Sequence, residues 1–307
     1  MEYSVVLPVY NEQDNIAPLY NELTPVMKSL GKPYEIIFVD DGSKDRTYER
    51  ILQLAMADKC VRIVKFRRNF GQTAAMDAGI KHAKGKILIT LDADLQNDPK
   101  DIPKLLQKLD SGYDVVSGWR WKRKDTLSKK IFSKIANKIR RSLTEDKIHD
   151  SGCTLKVYKK ECFDNLTLYG EMHRYITTML RFRGFKIGEL PVNHRSRKFG
   201  KTKYNFRRVF KGFFDLLFIK FWNDFSTRPI HFFGAAATLQ FGIAGLILME
   251  QIIKALSINV LSLGPLLVLS VMLVITGFLT FFFGFIAEIM IRMYYRDSPN
   301  YEIEKVI

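Results

Sequence analysis

The chain has 307 residues and a formal net charge of +16, enough for one sizeable α/β domain plus an appendage. Its three cysteines, Cys60, Cys153 and Cys162, show no Cys-x-x-Cys spacing, which argues against a disulfide framework and a zinc site. Met1-Glu2-Tyr3 leads straight into a strand-like run, so no N-terminal signal peptide is expected.

Tyr3–Pro8 is a short β-branched run and reads as a strand. Asp14–Leu30 has helical periodicity through Ile16, Leu19, Leu23, Val26 and Met27, and stops at Gly31. Tyr34–Val39 is read as a second, fully apolar strand, followed by a helix over Arg46–Ala57 and a third strand over Val61–Phe66. Gly71–Ala83 reads as a helix, Ile87–Leu91 as a strand, Pro99–Leu109 as a helix and Tyr113–Ser117 as a strand. Apolar strands alternating with helices of ten or more residues predict an α/β fold with a mostly parallel sheet, covered on both faces.

The basic segment Thr126–Leu143 places Leu127, Ile131, Phe132, Ile135, Ile139 and Leu143 on one helical face. It suits either a membrane interface or a surface helix packed on the core. Asn205–Phe225 repeats this character with several phenylalanines, just ahead of an apolar stretch, and reads as interfacial.

Phe232–Met249 carries only Thr238 and Gln240 as polar side chains, and Leu266–Ala287 only Ser270, Thr276 and Thr280. Each is long enough to cross a ~30 Å hydrocarbon core as a helix. Lys and Arg crowd Lys122–Arg141 and Arg181–Arg228, and the second segment runs directly into the first apolar stretch. An anionic bilayer surface explains that placement better than a nucleic acid. The connection Ala255–Gly264 is uncharged, whereas Arg292 and Arg296 follow the second stretch. The positive-inside rule then predicts a multi-pass membrane protein with the soluble domain and both termini cytosolic. The expected divisions are a cytosolic domain over 1–204, a juxtamembrane segment over 205–228, a two-helix hairpin over 229–291 and a tail over 292–307.

Ligands of parallel α/β sheets bind at the carboxyl ends of the strands. Three polar clusters lie there: Tyr10-Asn11-Glu12, Asp40-Asp41-Gly42-Ser43 and Asp92-Ala93-Asp94. Asp92 and Asp94 suit Mg²⁺ or Mn²⁺, which take one or two carboxylates and let substrate phosphates and water complete the shell. Gln96 adds a carbonyl oxygen or orients a water. A carboxylate such as Asp40 or Asp41 suits hydrogen bonds from a base or ribose. The first strand has no Gly-x-Gly-x-x-Gly after it, so the dinucleotide reading is weak.

The segments Val6-Leu7-Pro8-Val9-Tyr10-Asn11-Glu12, Val39-Asp40-Asp41-Gly42-Ser43, Asn69-Phe70-Gly71-Gln72 and Leu91-Asp92-Ala93-Asp94-Leu95-Gln96 resemble family 2 glycosyltransferases of the GT-A fold in order and spacing. The resemblance is strongest to the polyprenyl-phosphate glycosyltransferases, the group with dolichyl-phosphate mannosyltransferase and undecaprenyl-phosphate glucosyltransferases, and extends to the two-helix tail. It implies hexose transfer from a UDP- or GDP-linked sugar to a polyprenyl phosphate. It also implies a nucleoside pocket lined by Pro8, Tyr10, Glu12, Val39 and Asp41, with the Ala93 backbone near the nucleotide. Asp92, Asp94 and Gln96 would hold the metal. Arg120 would contact the sugar nucleotide, and Arg197 and Lys203 would face the phosphates. Asp150, in His149-Asp150-Ser151-Gly152, and Arg174, in the Glu171–Arg174 segment, also match. Asp94, Asp150 and Arg120 form the implied catalytic set; Arg197, Lys203 and Arg174 form the phosphate and acceptor set.

A lipid phosphate is already anionic at pH 7 and needs no strong general base. Asp150 is therefore open to three roles: sugar or acceptor ligand, base, or cap. A polysaccharide synthase of the same fold and a non-catalytic membrane adaptor are the competing readings. Gly242, Gly245, Gly277 and Gly284 suit helix self-association in a homo-oligomer.

Overall fold

The computed structural model describes residues 1–121, 148–196, 207–258 and 264–294. The basic segment 126–143, Arg197 and Lys203 lie outside them. The chain divides into two compact units, Met1–Phe218 and Ile219–Ile307.

The first unit is built on a seven-stranded sheet: β1 (Tyr3–Val9), β2 (Tyr34–Asp40), β3 (Val61–Lys65), β4 (Ile87–Thr90), β5 (Val115–Arg120), β6 (Lys156–Lys159) and β7 (Ile187–Val192). Their order across the sheet is β3-β2-β1-β4-β6-β5-β7. β1 pairs in parallel with β2 and β4, β2 with β3, and β5 with β7. β6 runs antiparallel between β4 and β5. The expected mostly parallel α/β sheet is present.

Helices α1 (Ile16–Ser29), α2 (Thr47–Ala57), α3 (Gln72–His82), α4 (Ile102–Asp110) and α5 (Ile176–Phe182) cover it. One apolar layer joins Leu19, Leu23 and Met27 of α1 and Leu105 and Leu109 of α4 to Val5, Leu7, Ile36 and Phe38. The other joins Met76 and Ile80 of α3 and Ile176 and Leu180 of α5 to Val6, Ile37, Leu88 and Tyr158. Alternate residues of β1 and β2 thus enter opposite layers, as strand geometry requires. Burying a Leu or Ile side chain in this way stabilises by about 1.5–3 kcal/mol.

Two sequence expectations change in detail. The run over Pro99–Leu109 splits into a 3₁₀ turn, Pro99–Asp101, and α4; Asp98 caps the turn by accepting from the Lys100 N–H at 3.1 Å. β2 is not wholly apolar, because Glu35 is buried inside it. Its carboxylate accepts from Ser4 Oγ at 2.6 Å, the Lys84 N–H at 2.6 Å and Arg62 at 2.5 Å. Burial raises the Glu35 carboxyl, but these donors together hold it below the ordinary range.

Helix α6 (Arg207–Phe225) spans the boundary between the units. In the second unit, α7 (Pro229–Ile258) and α8 (Pro265–Tyr294) are the two apolar helices, with mean hydropathies of 1.8 and 2.6 over their candidate spans. Both are long and apolar enough to cross a membrane. α7 runs further than expected, past Glu250 and Lys254, which pair across one helical turn at 2.5 Å. α8 likewise includes Arg292. The two helices pack against each other through small residues. A Cβ on Gly277 would sit 2.7 Å from the Phe241 ring, and one on Gly284 2.7 Å from Phe233 Cβ.

Candidate active site

The loops leaving β1 and β2 form one unit. The Asn11 N–H donates to Ser43 Oγ at 3.0 Å, the Lys44 N–H to Asn11 Oδ1 at 2.8 Å, and the Glu12 N–H to Thr47 Oγ1 at 2.8 Å. Pro8, Tyr10 and Glu12 are half-buried on this edge, with Val39 buried beneath.

Asp41 joins the β2 loop to the β3–α3 loop. Its Oδ1 accepts from the Phe70 N–H at 2.6 Å; its Oδ2 accepts from the Gly71 N–H at 2.9 Å and Asn69 Nδ2 at 2.8 Å. Burial pushes the Asp41 carboxyl above the usual carboxylate range, against the pull of the two N–H donors. Gly42, at φ +69°, lets the loops close: a Cβ there would lie 2.5 Å from the Arg68 carbonyl carbon. Asp40 is fully buried; its Oδ1 accepts from the Ser43 N–H at 3.0 Å, and its Oδ2 has no hydrogen-bond partner among the described residues.

The chain of loops continues to β4, where Gln72 Nε2 donates to Asp92 Oδ1 at 2.8 Å. Asp92 is half-buried, and Ala93 and Asp94 are buried. Asp94 Oδ1 accepts from the Gln96 N–H at 3.1 Å across a turn in which Leu95 takes φ 61°. The Gln96 amide nitrogen donates to the Arg195 carbonyl at 3.4 Å, so its carbonyl end is the part suited to a metal. Among the described residues no three His, Cys, Asp or Glu gather as a complete metal cage. Two carboxylates of hard oxygen chemistry fit Mg²⁺ or Mn²⁺ when a diphosphate completes the shell.

Arg120 ends β5 and meets Asp150 side-on. Arg120 Nε donates to Asp150 Oδ2 at 2.6 Å and Nη2 to Oδ1 at 2.8 Å, with each side chain 14% exposed. Burial opposes the guanidinium charge, but the Asp150 hydrogen bonds and charge override it, and Asp92 adds a further pull; Arg120 stays protonated. Lys156, at the start of β6, is 3% exposed and donates Nζ to the Ser151 carbonyl at 3.0 Å. Burial lowers its ammonium pKa, while Asp150 and Asp92 work the other way.

Arg174 sits on the turn Met172–Arg174, 3.0 Å from Glu171. That loop docks on α3: Thr73 Oγ1 lies 2.7 Å from the Gly170 carbonyl, and the Leu168 N–H donates to Asp77 at 2.9 Å. The segment leading to Arg197 is pinned beside the Asp92–Gln96 loop. Arg195 donates its N–H to the Gln96 carbonyl at 2.8 Å and its guanidinium contacts Asp98 at 2.7 Å.

Sequence reasoning missed Lys156 and Glu189 and had no role for Gln72. Lys156 opens a run with lysine at both ends, which reads as a solvated face. Gln72 stands within a quoted motif, but its reach to Asp92 depends on the sheet order.

The glycosyl transferase family 2 model matches residues 4–167. The chain is 38% identical over 314 residues to the dodecaprenyl-phosphate galacturonate synthase of Rhizobium johnstonii, covering 100% of this chain and 93% of that one. The chain belongs to glycosyltransferase family 2. This family 2 glycosyltransferase is also 33% identical over 311 residues to the undecaprenyl-phosphate 4-deoxy-4-formamido-L-arabinose transferase of Salmonella paratyphi B, covering 99% of this chain and 93% of the relative. Among solved structures it resembles the Mycobacterium tuberculosis glucosyl-3-phosphoglycerate synthase in complex with Mn²⁺ and UDP-glucose. The TM-score is 0.55 at 18% identity, covering 71% of this chain and 78% of that one. That likeness establishes the GT-A-like fold of the glycosyltransferase, and the curated relatives extend the match through both apolar helices.

Proposed function

We propose that this glycosyltransferase moves one sugar from a nucleoside diphosphate to a polyprenyl phosphate at the cytosolic membrane face. The observation that carries this reading is the Arg120–Asp150 pair set beside Asp92 on the sheet edge, in a chain whose end-to-end relatives act on polyprenyl phosphates. We assign residues 1–204 to the catalytic domain, 205–228 to a juxtamembrane segment, 229–291 to the hairpin and 292–307 to a tail. Cations before α7 and at the end of α8 support cytosolic ends. A Cβ added at Gly242 or Gly245 would meet no described atom within 4 Å, which leaves room there for a second copy.

The buried Asp40 Oδ2 is an acceptor that a base or ribose donor would satisfy. Pro8, Tyr10, Glu12, Val39 and the Ala93 backbone line that nucleoside side, and Asp41 holds the wall that closes it. Asp92 and Asp94, with the Gln96 carbonyl, would hold Mg²⁺ or Mn²⁺, which neutralises charge on the departing diphosphate as a Lewis acid. Arg120, with Nε and Nη2 fixed on Asp150, turns its remaining N–H donors to the diphosphate. Both Asp150 oxygens are engaged by Arg120, so Asp150 orients the guanidinium and is a poor base. Arg174, Arg197 and Lys203 serve the acceptor phosphate, whose own charge makes it the nucleophile.

The test is transfer by the full chain in lipid nanodiscs with undecaprenyl phosphate. The donor panel is radiolabelled UDP-glucose, UDP-galactose, UDP-galacturonic acid, UDP-N-acetylglucosamine and GDP-mannose, each with Mn²⁺ or Mg²⁺. Label in an organic-extractable, mild-acid-labile lipid is the expected result. Label in polymer would indicate a synthase, and no transfer from any donor would indicate a non-catalytic protein.

A further inference from the structure

The turn Ile148–Gly152, which carries Asp150, is held by charged side chains from two other strands. On one side stands Glu189 of β7. Its Oε1 accepts from the His149 and Asp150 N–H groups, both at 2.9 Å. Its Oε2 lies 2.9 Å from the His149 backbone nitrogen and 2.8 Å from His149 Nδ1. The His149 ring stacks on the Trp119 indole, with centroids 4.3 Å apart and planes at 19°. On the other side Lys156 of β6 holds the Ser151 carbonyl at 3.0 Å. Asp150 projects from this turn and grips Arg120, and a Cβ on Gly152 would come within 3.2 Å of Arg120 Nη2. The turn, the carboxylate and the guanidinium are therefore joined by one continuous set of contacts.

Glu189 does not share the donor edge. With Tyr113, Trp119, Phe185 and Lys186 it lines a cavity of about 780 Å³ that has no contribution from Asp92, Asp94 or Arg120. Its influence on the chemistry has to pass through the turn. A carboxylate that accepts two successive backbone N–H groups fixes the turn more firmly than a neutral acceptor, because charged hydrogen bonds are shorter and stronger. Without it the two N–H groups need another acceptor, and displacing a reacting or charge-stabilising group by about 1 Å costs up to about 100-fold in rate.

We propose that Glu189 is a positioning residue for the Arg120–Asp150 clamp, setting the guanidinium from outside the donor site. The proposal rests on the reading of Arg120 as a diphosphate ligand.

A double-mutant cycle on the full chain in nanodiscs tests it, with undecaprenyl phosphate and the fastest donor of the panel above. Glu189→Ala should lower kcat/KM by about 10–100-fold, the usual scale for a residue that orients a ligand from behind. Glu189→Gln, which keeps one carbonyl acceptor and the shape, should recover part of that loss and should melt at the wild-type temperature. The Glu189→Ala/Asp150→Asn double variant should lie within about threefold of Asp150→Asn alone, because no clamp is left to position. Lys108→Met removes the 2.8 Å contact to the Glu189 backbone carbonyl, leaves the carboxylate's bonds to His149 and Asp150 in place, and should leave the rate near wild type. Losses that multiply fully in the double variant, or a wild-type rate for Glu189→Ala, overturn the proposal alone. A wild-type rate for Asp150→Asn overturns the Arg120–Asp150 reading beneath it. Absence of transfer from every donor overturns the proposed function itself.

Discussion

The Asp41 carboxylate takes three donors from the loop that follows β3, so Asp41→Asn is a sharp perturbation. The best orientation of the new amide keeps its oxygen at the Oδ2 position, facing Asn69 and Gly71. Its NH₂ group then opposes the Phe70 N–H, which loses its acceptor. That bond is part-buried, so its loss costs about 1 kcal/mol. The two surviving bonds drop from charged to neutral acceptors, which removes roughly another 1–2 kcal/mol. Burial already disfavours the Asp41 charge, so its removal returns part of this cost. The net cost is about 2 kcal/mol, or about 30-fold in the opening of the loop. Hydrogen exchange read by mass spectrometry on the full chain should show the 66–76 segment exchanging about 30-fold faster, with β2 protection unchanged. Wild-type exchange in that segment would refute the assignment of Asp41 as the loop's anchor, as would equal acceleration across the sheet.

Acid should weaken the first unit in a defined window. Burial raises Glu35, Asp98 and Asp114, but their donors hold all three below their ordinary values of 4.5, 3.8 and 3.8. Depressed carboxyls contribute stability that is present above the unfolded value and lost as pH falls through the folded one. Tm should hold from pH 7 to about 5 and fall below about 4.5, with Glu35→Gln reducing the slope; a flat Tm down to pH 3 would contradict this. Gly42→Ala should weaken binding of the donor's nucleoside diphosphate, UDP or GDP, at least about tenfold by calorimetry in the presence of Mn²⁺, because its Cβ meets Arg68 backbone at 2.5 Å and φ is +69°. Wild-type affinity in that variant would show that the loops close without Gly42.

The first five strands were legible because each is an apolar run between helices of clear period. β6 and β7 were not. Lys156-Val-Tyr-Lys is four residues long with a cation at each end, and Ile187–Val192 contains Gly188, Glu189 and Pro191. β6 exists because β4 and β5 flank it, and β7 because it pairs with β5 at the sheet edge, a tertiary effect that overrides local propensity. The candidate site followed the same division. The strand-end positions of Asp41, Asp92 and Asp94 could be read from the chain. That Asp41 holds residues 69–71, or that Asp150 clamps Arg120 thirty residues away, depends on which loops the strand order brings together. The orienting role proposed for Asp150, among those the sequence left open, rests on this pairing, in which both of its oxygens accept from Arg120.

The most direct test of the account is the transfer rate of Asp94→Asn in the full chain, assayed with undecaprenyl phosphate, Mn²⁺ and the donor used by the wild type. The variant should insert and melt like wild type while transferring no measurable sugar to lipid. Transfer at a near-normal rate would contradict the assignment of Asp92 and Asp94 to the metal and, with it, the reading of this sheet edge as the donor site.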